Sequence, residues 1–270
     1  MANILDAILN IANDCSQKLG ASTNTHNRLH AAGEPLEEYI KDAFAGTFNL
    51  DAATKNSQQS QVFSYGGGKN NPPDAIVRNG DAIEVKKVES IGGIALNSSY
   101  PKAKLYHDDP RISSDCRNIE GGQWTERDII YAVCTMEQDS LRSVVFVYGS
   151  IYFAERDYYE NQLNIYENTI HLNYIDPLGM SNVSCRFPTW TITHPFIAFN
   201  QIYEHNEKSD FELLAVIPAE KYNSFDNQYK LLDYSKADPK LRIQDGIVKN
   251  PNNLSQCMDV KVISYSYNNL

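Results

Sequence analysis

Two runs of β-branched and aromatic residues constrain this chain most: Asp128 to Met136 (DIIYAVCTM) and Leu141 to Ala154 (LRSVVFVYGSIYFA). They read as central strands of a sheet, with Glu137 to Ser140 as a hairpin connection between them. Such a sheet needs cover. Ile4, Leu5, Ile8, Ile11 and Ala12 recur at helical spacing and predict a helix from about Asn3 to Asp14, followed by a polar loop from Ser16 to Asn27. A second helical stretch runs from Asn27 to Phe44, with Leu36, Tyr39, Ile40, Ala43 and Phe44 on its buried stripe. Pro35 suits a first helical turn, so Gly33-Glu34 is the point of division, and Gly46 ends the stretch. Ser99 or a neighbour is placed to cap a third helix beginning near Pro101. The expected fold is α/β (mixed α+β), a central mixed sheet flanked by helices. FPTWTITHPFIAF and FELLAVIP, late in the chain, read as further buried segments.

Several function classes are disfavoured. No apolar run approaches the roughly 18 residues that span a bilayer, and MANILDAILNIAND lacks the basic start of a signal peptide, so the expected location is cytoplasmic without a membrane partner. Cys15, Cys116, Cys134, Cys185 and Cys257 form no C-x-x-C pair and read as buried free thiols. The formal charge of −10 argues mildly against nucleic acid. From Gln61 to Leu105, however, Lys69, Arg78, Lys86, Lys87, Lys102 and Lys104 outnumber Asp74, Asp81, Glu84 and Glu89.

Those charges surround Asn71 to Ser90, NPPDAIVRNGDAIEVKKVES. It reads as two strands, Asp74 to Arg78 and Ala82 to Val88, joined across Asn79-Gly80. A two-residue turn pairs Arg78 with Asp81 and puts Asp74 and Glu84 on opposite faces. A three-residue loop, Arg78-Asn79-Gly80 with Gly80 left-handed, pairs Val77 with Asp81 and sets Asp74 against Glu84, with Lys86 on the same face. In that register Asp74, Glu84 and the Val85 carbonyl can hold Mg²⁺, while Lys86 orients a water for phosphodiester hydrolysis. A solvated charged hairpin is the bland alternative.

Other motifs carry less. Gly66-Gly67-Gly68-Lys69 lacks phosphate-loop spacing and reads as a turn. His26 and His30 share helical spacing without further ligands, and His107, Asp108 and Asp109 read as a solvated turn closed by Pro110. Glu37 and Glu38 most simply are solvated helix residues, Glu37 pairing with Lys41.

LEEYIKDAF, VFSY, NPPDAIVRNGDAIEVKK, ALNSSYPKAKL and ERDIIY occur in an order that closely resembles the NgoPII-type type II restriction endonucleases of the PD-(D/E)xK nuclease superfamily. The likeness covers roughly residues 1–155, with 156–270 a continuous C-terminal region assigned to DNA recognition or dimerisation. The resemblance implies an endonuclease dependent on Mg²⁺, for which Mn²⁺ can substitute, cutting double-stranded DNA at a short palindromic GGCC-like site. It also implies a homodimer, and a cognate DNA methyltransferase as functional partner. Asp74, Glu84 and Lys86 match the superfamily's catalytic positions, and Glu37 matches, more loosely, an acidic residue that the first core helix lends to the metal. Asn97, Ser98, Ser99, Lys102, Lys104 and Arg186 are the candidate DNA contacts, with Trp190 and His194 either further contacts or buried. A repair or junction nuclease of the same superfamily, or a non-catalytic DNA-binding module, is the alternative reading.

Overall fold

A computed structural model of the chain describes residues 1–20, 33–68, 71–96, 100–137, 140–168, 174–175, 183–186 and 189–268. Its first part comprises α1 (Ile4–Gly20), α2 (Gly33–Ala45), α3 (Ala52–Val62), β1 (Phe63–Tyr65), β2 (Ala75–Val77), β3 (Ala82–Val88), β4 (Gly93–Ala95) and β5 (Lys104–Tyr106). There follow α4 (Ser114–Asn118), a 3-10 turn (Ile119–Gly122), β6 (Glu126–Glu137), β7 (Ser140–Tyr148), α5 (Gly149–Tyr152) and α6 (Arg156–Asn168). The last part holds β8 (Tyr174–Ile175), β9 (Val183–Arg186), β10 (Thr189–Thr193), α7 (Pro195–Ala198), β11 (Phe211–Pro218), α8 (Ala219–Asn223), α9 (Gln228–Ala237), β12 (Leu241–Asn250) and β13 (Asn253–Tyr267).

One mixed sheet organises these elements, in the order β1-β2-β3-β6-β7-β11-β13-β12, with β5 also paired to β6. β3 runs parallel to β6 and β7 parallel to β11; the other neighbours are antiparallel. A smaller sheet has the order β4-β10-β9-β8. β6 and β7 form the expected hairpin, and their central residues, Ile130 and Ala132 to Cys134 against Val144 to Val147, are fully buried. Each such aliphatic side chain contributes about 1.5–3 kcal/mol through burial, so this pair anchors the core. The stripes of α1 and α2 join that core, Phe44 meeting Phe146 edge-on at 6.0 Å.

Several expectations need correction. α1 continues through Ser16 to Gly20, where the sequence predicted a loop. The polar stretch after Asp51 is a helix, α3, although it buries none of its residues. It is held by its ends and flank: the Asp51 carboxylate accepts the Ala53 and Thr54 N–H groups, and Lys55 pairs with Asp42 at 2.5 Å. No helix begins at Pro101. The segment instead enters β5, which pairs with Glu126 to Asp128, and the Lys102 N–H donates to the Tyr131 hydroxyl at 2.9 Å. β7 ends at Tyr148, short of Ala154, because α5 begins at Gly149. Asp109 is not solvated: it is buried and accepts two bonds from the Arg111 guanidinium, at 2.9 and 3.0 Å. Cys116 and Cys134 are buried free thiols, Cys15 is half-buried, and Cys257 is exposed against expectation. His26, His30, Lys69 and the Cys185 side chain lie outside the described residues. Among the described residues no helix is long and apolar enough to cross a membrane.

Gly149 shows how tightly the Pro101 segment is seated. A Cβ there would lie 2.2 Å from the Lys102 carbonyl oxygen and 2.6 Å from that of Ala103, both backbone atoms that cannot swing aside. Gly149→Ala is therefore expected to destabilise the fold by about 3 kcal/mol, as overpacking against backbone does. Urea denaturation measures it, and an unchanged midpoint would contradict this packing.

Candidate active site

The hairpin of β2 and β3 has the register that the acid pair requires. Ile76 pairs with Ala82 and Ala75 with Ile83, and the Val77 N–H donates to the Asp81 carbonyl at 2.9 Å. Arg78, Asn79 and Gly80 are thus the loop. The left-handed residue, however, is Asn79 at φ 53° rather than Gly80. Asn79 takes the third position of the turn closed by the Gly80 N–H on the Val77 carbonyl at 2.8 Å, and asparagine tolerates that conformation.

β2 starts abruptly because Pro73 has no N–H to give the ladder. Asp74 donates its N–H to the Ile83 carbonyl at 3.0 Å, and its Oδ2 accepts the Val85 N–H at 2.6 Å. A strand residue's N–H and carbonyl point to the same side, so the Val85 carbonyl is turned toward the same margin as Asp74. Gly67 backs the arrangement: its φ is +92°, and a Cβ there would sit 2.4 Å from the Asp74 carbonyl oxygen.

Glu84 and Lys86 alternate onto one face of β3, and the Lys86 ammonium donates to Glu84 Oε1 at 2.6 Å. Glu84 Oε2 is buried without a hydrogen-bond partner. Burial, then repulsion from Glu84, raises Asp74 to about 7, against a lowering by the Val85 N–H; Glu37 adds to the rise. Burial works to lower the pKa of Lys86, but Glu84, Asp74 and Glu37 together outweigh it and the net shift is upward. Glu37, on α2, therefore lies within electrostatic reach of both, which a solvated helix residue would not. Among the described residues no three His, Cys, Asp or Glu side chains close into a metal cage. Asp74 and Glu84 nonetheless fit a hard divalent cation. They are adjacent anionic oxygen donors, one atom of the pair is orphaned, and the pair's repulsion is what a cation would relieve.

The candidate DNA contacts are not brought together in the same way. Lys102 is buried, its Nζ 3.5 Å from Asp109 Oδ2, so it does not project as a phosphate contact. Burial and the neighbouring Arg111 lower its pKa to about 8. Lys104 is partly exposed and paired with Glu126. Asn97, Ser98, Ser99 and the Arg186 side chain lie outside the described residues. Trp190 is buried edge-on to Tyr159 at 5.3 Å. His194 is fully buried: its Nδ1 accepts the Phe196 N–H at 3.2 Å, its Nε2 lies 3.2 Å from Thr135 Oγ1, and burial lowers its pKa to about 4. Both have core roles.

Sequence reasoning missed the groups that seat the hairpin. Tyr131 stands opposite Glu84 on β6 and holds the Lys102 backbone above that face. Asp81, at the start of β3, is bound by the Tyr148 hydroxyl at 2.7 Å and by Lys221 of α8 at 2.6 Å, and Lys221 also reaches Asp128 at 2.6 Å. No local signal marks a lysine 140 residues from its partner.

A mixed sheet whose hairpin presents two carboxylates and an ammonium at one margin is the arrangement of a restriction-endonuclease-like nuclease. The comparisons with known proteins agree. The family model of the NgoPII restriction endonuclease matches residues 2–249, well beyond the first 155 in which the motifs were legible. The type II restriction enzyme NgoPII of Neisseria gonorrhoeae is 41% identical over 280 residues, covering 97% of this chain and 99% of its own length. No solved structure matches. The chain belongs to the NgoPII restriction endonuclease family, and it is a type II restriction endonuclease, a site-specific deoxyribonuclease. Enzymes of this type generally use a divalent metal.

Proposed function

We propose that this endonuclease hydrolyses phosphodiester bonds of double-stranded DNA at a short palindromic site of the GGCC type, as a homodimer using Mg²⁺. The observation that supports this most is the adjacent pair Asp74 and Glu84, with Glu84 Oε2 unpartnered and Lys86 bound to Oε1. Asp74, Glu84 and the Val85 carbonyl would hold the ion, with Glu37 nearby. When bound, the ion polarises the scissile phosphate and eases deprotonation of the attacking water. Lys86 orients that water and offsets the negative charge that builds on the phosphate, and Glu84 keeps the ammonium aimed and charged. Asp74 holds a proton up to about pH 7 in the metal-free protein, so it must release that proton before it can bind the cation. Residues 156–270 are the proposed source of dimer and base contacts, and a cognate DNA methyltransferase is the proposed functional partner.

Digestion of a plasmid of known sequence tests this reading. Discrete fragments are expected with Mg²⁺ or Mn²⁺ and none with EDTA, and the fragment ends should map to one palindrome. Preferential cutting of branched DNA over linear duplex would instead identify a junction nuclease.

A further inference from the structure

Within the hairpin the Val85 N–H on Asp74 Oδ2 favours the observed register, but the pattern of the strands does not fix it. Ala75, Ile76 and Val77 are apolar and buried on both faces, so a one-residue slip exchanges one apolar side chain for another and the binary pattern cannot forbid it. The loop sequence is no safeguard either. Asn-Gly favours a two-residue turn with both residues left-handed, and that turn would pair Arg78 with Asp81 and turn Asp74 away from Glu84. In the structure only Asn79 is left-handed, against the local preference.

The loop itself is held against the slip from outside the hairpin. The Arg78 N–H donates to the Val62 carbonyl at 2.8 Å, and its guanidinium donates to the carbonyls of Ser60, Gln61 and Phe63 at the end of α3. The Asn79 N–H donates to Glu120 Oε1 at 2.6 Å. The Gly80 carbonyl accepts Arg127 Nη1 at 2.8 Å, while Arg127 Nη2 pairs with Glu120 Oε2. Every loop residue is thus bound by a group that is distant in sequence. Glu120 reaches the loop from a strained backbone, left-handed at φ 50° and followed by Gly121 at 82° and Gly122 at 70°. A glutamate in that conformation persists only where the surroundings enforce it, as at functional sites.

We propose that Glu120 and Arg127 are positioning residues that lock the β2–β3 hairpin in the register bringing Asp74 to Glu84, against the loop's own preference. The inference rests on the proposed active site. Glu120→Ala is expected to lower the single-turnover cleavage rate by more than about tenfold, with DNA affinity by gel shift within about threefold of the parent. Gly80→Ala disfavours the competing turn because its second residue must be left-handed; since its Cβ would lie 3.2 Å from Val77 Cβ and Cγ1, the reference is Gly80→Ala alone, and adding Glu120→Ala to it should change the rate by less than about threefold. A purely structural Glu120 would cost the same in both backgrounds. Thermal melting confirms that each variant is folded. Should Glu120→Ala fail to fold, Glu120→Gln retains an acceptor for the Asn79 N–H and should cleave within about tenfold of the parent; a deeper loss in that folded variant would overturn the proposal. Full activity in folded Glu120→Ala, or a fall on adding Glu120→Ala to Gly80→Ala as large as the fall it causes in the parent, would overturn it too. If Lys86→Ala also retained activity, the active-site reading would fail instead.

Discussion

Lys86→Ala is expected to slow single-turnover plasmid cleavage by about a thousandfold, the scale on which removal of a preorganised charge-stabilising group acts. The ammonium has two tasks. It offers positive charge to the reacting phosphate, and it neutralises the Glu84 oxygen to which it is bonded at 2.6 Å. Without it the repulsion on Asp74 from Glu84 and Glu37 is less compensated, so Asp74 takes up a proton more readily and the acid pair holds a cation less well. Glu84→Gln removes one anionic donor while keeping the shape, and should lose cleavage to a similar degree. Both variants should remain folded, because each side chain is partly open to solvent, 21% for Lys86 and 15% for Glu84. Cutting within about tenfold of the parent by either would remove that residue from the catalytic set.

Asp74→Asn is expected to do the opposite to stability of what it does to activity: cleavage is lost, and the metal-free protein melts at a higher temperature. Asp74 is raised from 3.8 to about 7 by burial and then by Glu84. Between those values the folded chain keeps a proton that the unfolded chain releases, so stability falls as pH rises across the window. The penalty is absent below about pH 4 and complete above about pH 7, where three pKa units correspond to on the order of 4 kcal/mol. Asparagine carries no such charge and still accepts the Val85 N–H. Melting in EDTA should therefore show the variant ahead of the parent at pH 8 and level with it at pH 4. Mg²⁺ should raise the parent's melting temperature more than the variant's. A variant no more stable than the parent at pH 8 would show that the acid pair is not strained.

These features were unequally legible. The central strands could be read because burial on both faces leaves an unbroken apolar run, and α1 and α2 because each has one apolar stripe. The register was readable as a choice between two turns, although the residue carrying the positive φ was Asn79 rather than Gly80. α3 was not legible, since a helix that buries nothing has no periodicity to show. The segment after Pro101 carries helix-start signals, but the edge of β6 and the Tyr131 hydroxyl claim its backbone groups, and neither is local. The same holds for Asp109, whose partner geometry alone turns a plausible solvated turn into a buried ion pair.

The strand order limits how two copies can share one duplex. β3 lies five strands from β12, so a dimer seamed along β12 would hold its reactive centres about 50 Å apart at roughly 4.8 Å per strand. Four base pairs span only about 14 Å of helix axis. A seam on the opposite side, where β1 is two strands from β3, brings the centres within about 25 Å, comparable with the width of the duplex itself. For the proposed homodimer, a seam between sheet edges would therefore fall on the β1 side, and β12 is the part of residues 156–270 least suited to supply the dimer contacts.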